Sequence, residues 1–148
     1  MNRSRFRTTV SATLTLVALA LGPTLPSAAS STSLSPISFT WRKPMTAGNC
    51  TMFEGARWTL YPSGRATFDG TVTSGDNNDA WLMWARLKDE NNAVLGTLTN
   101  LDIQDRSDRT KFVQGLPSSS QRYRWFASGE FNKYLFPLIK RMSLSKRC

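Results

Sequence analysis

The sequence predicts an all-β fold, a single antiparallel sandwich or small barrel of about eight strands. Three observations predict it. Apolar and polar residues alternate with period two in several segments, turn-forming clusters recur at near-regular spacing, and no segment has a helical period of convincing length.

Residues 30–36 are rich in Ser, Thr and Pro and read as a loose leader. From Ile37 the chain alternates, with Ile37, Phe39 and Trp41 on one side and Ser38, Thr40 and Arg42 on the other. A break over Pro44 to Gly48 leads into the short piece Cys50 to Phe53. Trp58 and Leu60 then alternate, Tyr61-Pro62-Ser63-Gly64-Arg65 turns the chain, and Ala66, Phe68, Gly70 and Val72 alternate again. Proline presets φ early in a turn and glycine accepts positive φ later, so this is a hairpin. After the polar connection Ser74 to Asp79, Ala80 to Leu87 is apolar on both faces until Arg86, as in a central strand. Read alone, that run also fits a buried helix, but the turn Asp89 to Asn92 and the run Ala93 to Leu98 favour a second hairpin. Residues 100–110 form a solvated loop or short helix, with Arg106 and Arg109 placed to neutralise Asp102, Asp105 and Asp108. Lys111 to Val113 is a short strand, and Gln121 to Ser128 sets Tyr123, Trp125 and Ala127 against Arg122, Arg124 and Phe126. One helical turn falls within Phe131 to Phe136. The last strand is expected over Leu138 to Leu144, with Leu138, Lys140, Met142 and Leu144 on one face.

Residues 1–29 read as a secretory signal peptide. Arg3, Arg5 and Arg7 precede an uncharged apolar stretch, Val10 to Gly22, and Ser27-Ala28-Ala29 offers a small-residue cleavage site before Ser30. The stretch is shorter than the ~20 apolar residues that span a bilayer, so a released product with no stable membrane anchor is expected. Cleavage takes three of the nineteen basic residues and none of the ten acidic ones, leaving net +6 on residues 30–148. One β domain over 37–148 follows. In an exported chain an even cysteine count reads as a disulfide, and Cys50 and Cys148 allow only one pairing.

The blocks Gly55-Ala-Arg-Trp58-Thr-Leu60, Gly64…Phe68-Asp69-Gly70, Asp79-Ala80-Trp81-Leu82-Met83-Trp84 and Tyr123-Arg124-Trp125-Phe126 carry a resemblance. Over nearly all of 37–148 the chain resembles an uncharacterised family of small secreted proteins of filamentous Gram-positive bacteria, a domain of unknown function. The resemblance implies a compartment and a class, and it assigns no reaction and no functional residue.

With no histidine, the usual Ser-His-Asp and Cys-His catalysts and the common zinc sites are excluded. No cofactor is implied. Glu54, Asp69 and Glu130 flank aromatic residues, and two carboxyl groups across a groove would suit glycoside hydrolysis. Asp76 and Asp79, with Asn77 and Asn78, offer hard oxygen ligands for calcium, although the same residues are what turns prefer. Arg122 and Arg124 share a strand face beside Phe126, and Lys140 and Arg141 add charge near the terminus. Basic residues interleaved with aromatics suit polyanions. For an exported protein the sensible polyanion is a cell-wall polymer, not nucleic acid as a cognate ligand. The reading is therefore a secreted, non-enzymatic binding or interaction module acting in the medium or at the cell wall. Two alternatives stand beside it: a small carboxylate-dependent glycoside hydrolase, and an inhibitor of another secreted protein acting through the Gly-Leu-Pro-Ser tract in 114–121.

Overall fold

A computed structural model describes residues 34–148. The signal peptide read at 1–29 and residues 30–33 of the leader lie outside the described residues. The chain forms β1 (Ile37–Thr40), β2 (Met45–Ala47), β3 (Cys50–Met52), β4 (Arg57–Leu60), β5 (Arg65–Ser74) and β6 (Asp79–Lys88). It continues through β7 (Val94–Thr97), β8 (Thr99–Asn100), β9 (Phe112–Leu116), β10 (Tyr123–Glu130), a 3-10 helix (Lys133–Leu138) and β11 (Arg141–Arg147).

All pairings are antiparallel, and the strands form two open sheets. The first runs β1-β4-β5-β10-β8, with β3 beside β5 beyond β4 and β2 on β3. The second is β11-β6-β7, with β9 sharing the β7 edge of β6. Both follow one plan: a ten-residue central strand, β5 or β6, has one long partner on one edge and two short ones end to end on the other. Neither sheet closes, so the sandwich form holds and the barrel does not.

The core lies between the inner faces. Ala66, Phe68 and Val72 of β5 meet Trp81, Met83, Ala85 and Leu87 of β6, all buried. Rings link the layers, with Trp58 centred 5.0 Å from Phe112 of the second sheet and 5.2 Å from Phe68, which lies 5.0 Å from Trp125. Gly70 makes this packing possible. A Cβ there would sit 2.8 Å from the Phe68 ring, which is already held between two tryptophans. The expected Pro62–Gly64 turn is present: Gly64 has φ +89°, and Phe131 donates its N–H to the Gly64 carbonyl at 2.8 Å.

Three local expectations change. The stretch read as a break contains β2, which pairs with β3. The last strand starts at Arg141, not Leu138. Pro137 lies inside the 3-10 helix, Leu138 is exposed, and the buried apolar anchor at this point is Ile139. The piece read at 111–113 runs on through β9 to Leu116, which is fully buried. The tract at 114–121 therefore has its one large apolar side chain in the core, which leaves the inhibitor-loop reading without an anchor.

Candidate polyanion-binding faces

The structure pairs Cys50 of β3 with Cys148, just past β11, their Cα atoms 5.7 Å apart. The staple therefore joins the first sheet to the second. Asp79 lies beside it, its carboxylate within 4.8 Å of both sulfurs, and accepts the Ser74 hydroxyl.

The carboxylates read as a hydrolytic site are not assembled. Asp69 faces outward from β5 and is paired with Arg124. Glu130 lies opposite Arg65, four residues along β5, about 13 Å from the Asp69 level. Glu54 is exposed in the turn before β4, and the three do not form a cluster. The calcium candidates serve turn chemistry. Asp76 accepts from the Asn49 amide, Asp79 from Ser74, and the Asn77 carbonyl oxygen from the Ser119 N–H at 2.8 Å.

The segment between β8 and β9 is an ordered loop held by polar contacts. Buried Asn100 donates to Gln104 and to the Lys111 carbonyl, both at 2.9 Å, while Gln104 bonds both backbone groups of Val113 at 2.8 Å. Lys111, not the expected Arg106 or Arg109, pairs with Asp105. The hydrogen bond from Lys111, then those from Ser107, hold the Asp105 carboxyl far below the usual range. Asp108 is lowered chiefly by the Thr110 hydroxyl and then by the Trp84 indole N–H, which donates at 2.7 Å. A carboxyl depressed by folding favours the fold above its unfolded value near pH ~4, and that contribution is lost as pH falls through the lower folded value. Acidification from pH ~5 to ~2 is therefore expected to loosen this loop, read as a change in the Trp84 indole NMR signal. In an Asp105→Asn, Asp108→Asn variant that transition should vanish. An unchanged transition would place its origin elsewhere.

The four basic residues singled out in the sequence fall in three places. Arg122 and Arg124 lie on the outer side of the first sheet. The Arg122 guanidinium stands 4.3 Å over the Phe53 ring, and that of Arg124 5.3 Å over Phe126 while bonding Asp69 at 2.5 Å. Part of this charge is neutralised internally. Lys140 lines a shallow notch with Asp89, Glu90, Leu95, Pro137 and Leu138, so acids stand beside it too. Arg141 is on the outer side of the second sheet, directly opposite Lys88, with Arg86 opposite Ser143 in the next outward pair. None of Arg86, Lys88 and Arg141 belongs to an ion pair among the described residues.

Sequence reading missed Arg86 and Lys88. Arg86 marks only the end of an apolar run in the sequence, and Lys88 falls just beyond that run. Their spacing of two puts them on one face of β6, which was readable, but the Lys88–Arg141 register was not.

Residues 57–148 match a family of unknown function, DUF6294. The chain belongs to this family. No curated protein and no solved structure shows a significant match. The DUF6294 region begins at β4 and takes in the Lys88–Arg141 pair, Arg122, Arg124 and Phe126, whereas β1 to β3 and Cys50 precede it.

Proposed function

We propose that this DUF6294 protein is an exported, non-enzymatic binding module that holds an anionic polymer, such as a cell-wall polymer, against the outer side of its second sheet. The carrying observation is Lys88 directly opposite Arg141 with Arg86 alongside, without an acidic ion-pair partner among the described residues. Like charges directly opposite in a sheet destabilise it, and an anion laid between them relieves that repulsion. The net +6 of residues 30–148 favours the encounter.

Retention on an anionic resin tests the reading. Arg86→Ser combined with Arg141→Ser is expected to elute at clearly lower salt than the parent. Screening acts over ~8 Å at physiological ionic strength, so retention should also weaken between low and physiological salt. Arg122→Ser with Arg124→Ser should shift elution less. Asp69→Asn should shift it the other way, because it removes the acid that now holds Arg124. If Arg86→Ser with Arg141→Ser left retention unchanged, the second-sheet assignment would be wrong.

A further inference from the structure

We infer that the outer side of the first sheet is a separate platform for an acidic polysaccharide. The argument starts from register. Ser38, Thr59, Thr67 and Ser128 stand side by side across β1, β4, β5 and β10, one hydroxyl per strand. A second row, Thr46, Thr51 and Thr73, crosses β2, β3 and β5. Neighbouring strands are ~4.8 Å apart, close to the length of one pyranose unit, and the threonines are stiff at χ1. The hydroxyls are thus held at a repeating spacing without further ordering. Ser38 and Thr59 already bond each other at 3.0 Å.

Threonine is an ordinary strand former, so the rows alone assign nothing. The residues between them do. Thr40, Arg57, Asp69 and Phe126 form the adjacent row, and Phe126 is 67% exposed, with Ser128 two residues further along its strand. An exposed aromatic ring offers a flat face on which the C–H side of a sugar ring stacks, while the hydroxyls beside it exchange hydrogen bonds with sugar hydroxyls. Arg57, Arg65, Arg122 and Arg124 outnumber Asp69 and Glu130 on this side, and guanidinium forks match carboxylates. Charge complementarity therefore selects a uronate-bearing chain over a neutral one. A protein partner fits less well: Phe126 among hydroxyls, with half-buried Phe53 covered by Arg122, is no apolar patch of the size that marks such interfaces. On the outer side of the second sheet Thr97 and Ser143 flank Arg86 rather than another hydroxyl, so among the described residues an unbroken hydroxyl row across three strands is particular to the first sheet.

Polygalacturonate is the probe, with inorganic polyphosphate as the contrasting anion and affinity measured by titration calorimetry. The parent is expected to bind polygalacturonate. Phe126→Ala should weaken that binding about tenfold, the scale of one lost stacking contact, and shape-conserving Thr59→Val with Thr67→Val should weaken it several-fold. With the second-sheet face removed by Arg86→Ser and Arg141→Ser, titration with polygalacturonate should still shift the Phe126 ring signals, which separates this platform from the second-sheet face. Ring signals of Phe126 shifting on titration would support the assignment independently of whether any variant folds. Absence of polygalacturonate binding, tighter binding of polyphosphate through the same Arg122 and Arg124, or full affinity in Phe126→Ala would each overturn it.

Discussion

Trp58→Ala is expected to cost about 3–5 kcal/mol of folding stability, the range for removing a large buried aromatic. Stability of whole domains is only ~5–15 kcal/mol, so much of it goes with one side chain. Trp58 is fully buried in β4 and contacts rings from both layers, Phe68 of β5 and Phe112 of β9. Its deletion opens a void where the sheets meet. Neighbours cannot collapse into it freely, because Phe68 is also held by Trp125. Trp58→Phe should be much milder. The indole N–H of Trp58 has no hydrogen-bond partner among the described residues, and an unpartnered buried donor costs ~1–3 kcal/mol, so replacing it recovers part of what the smaller ring loses. Urea denaturation of the two variants provides the check. A loss below ~1 kcal/mol for Trp58→Ala would show that the ring chain does not hold the layers together.

Opening the Cys50–Cys148 bridge has the second large effect. Cys148→Ser is expected to cost ~2–4 kcal/mol, against ~4.7 kcal/mol from chain entropy for a loop of roughly 100 residues. The cysteines are 98 positions apart, and Cys50 is fully buried opposite Ser74 on β5. Fraying of the chain end past Arg147 should accompany the loss, seen as faster hydrogen exchange in β11 than in β6. Alkylation of the unreduced protein by two groups would count against the bridge itself.

What could be read ahead of the structure depended on the range of the interactions involved. The hairpin over β4 and β5 was legible because its alternation, Pro62 and Gly64 are all local. The expected bridge needed only compartment and count. β2 and β8, three and two residues long, carry no alternation to detect and exist because β3 and β10 offer them partners. The same limit hid the candidate faces. Lys88 meets Arg141, and Ser38 shares a row with Ser128, only through pairings between distant parts of the chain. The acidic loop shows the limit at short range too. Charge proximity favoured Arg106 and Arg109 as partners of the aspartates, but loop geometry selects Lys111.

The position of the staple also governs how the molecule bears tension. All the strands from β4 to β11 lie between Cys50 and Cys148, as does nearly all of the DUF6294 region. A pull on the two ends of the chain is carried across the sulfur bridge and bypasses every strand in that loop. The segment ahead of Cys50 can be peeled away while the outer face of the second sheet keeps its shape, whereas the first sheet loses Ser38, Thr40 and Thr46 from its outer side. A single backbone cut on the loop, at an exposed point such as Ser119, leaves the two pieces covalently joined. Anchored by a polymer on one face and tugged by its ends, the domain would give way first at β1 and β2.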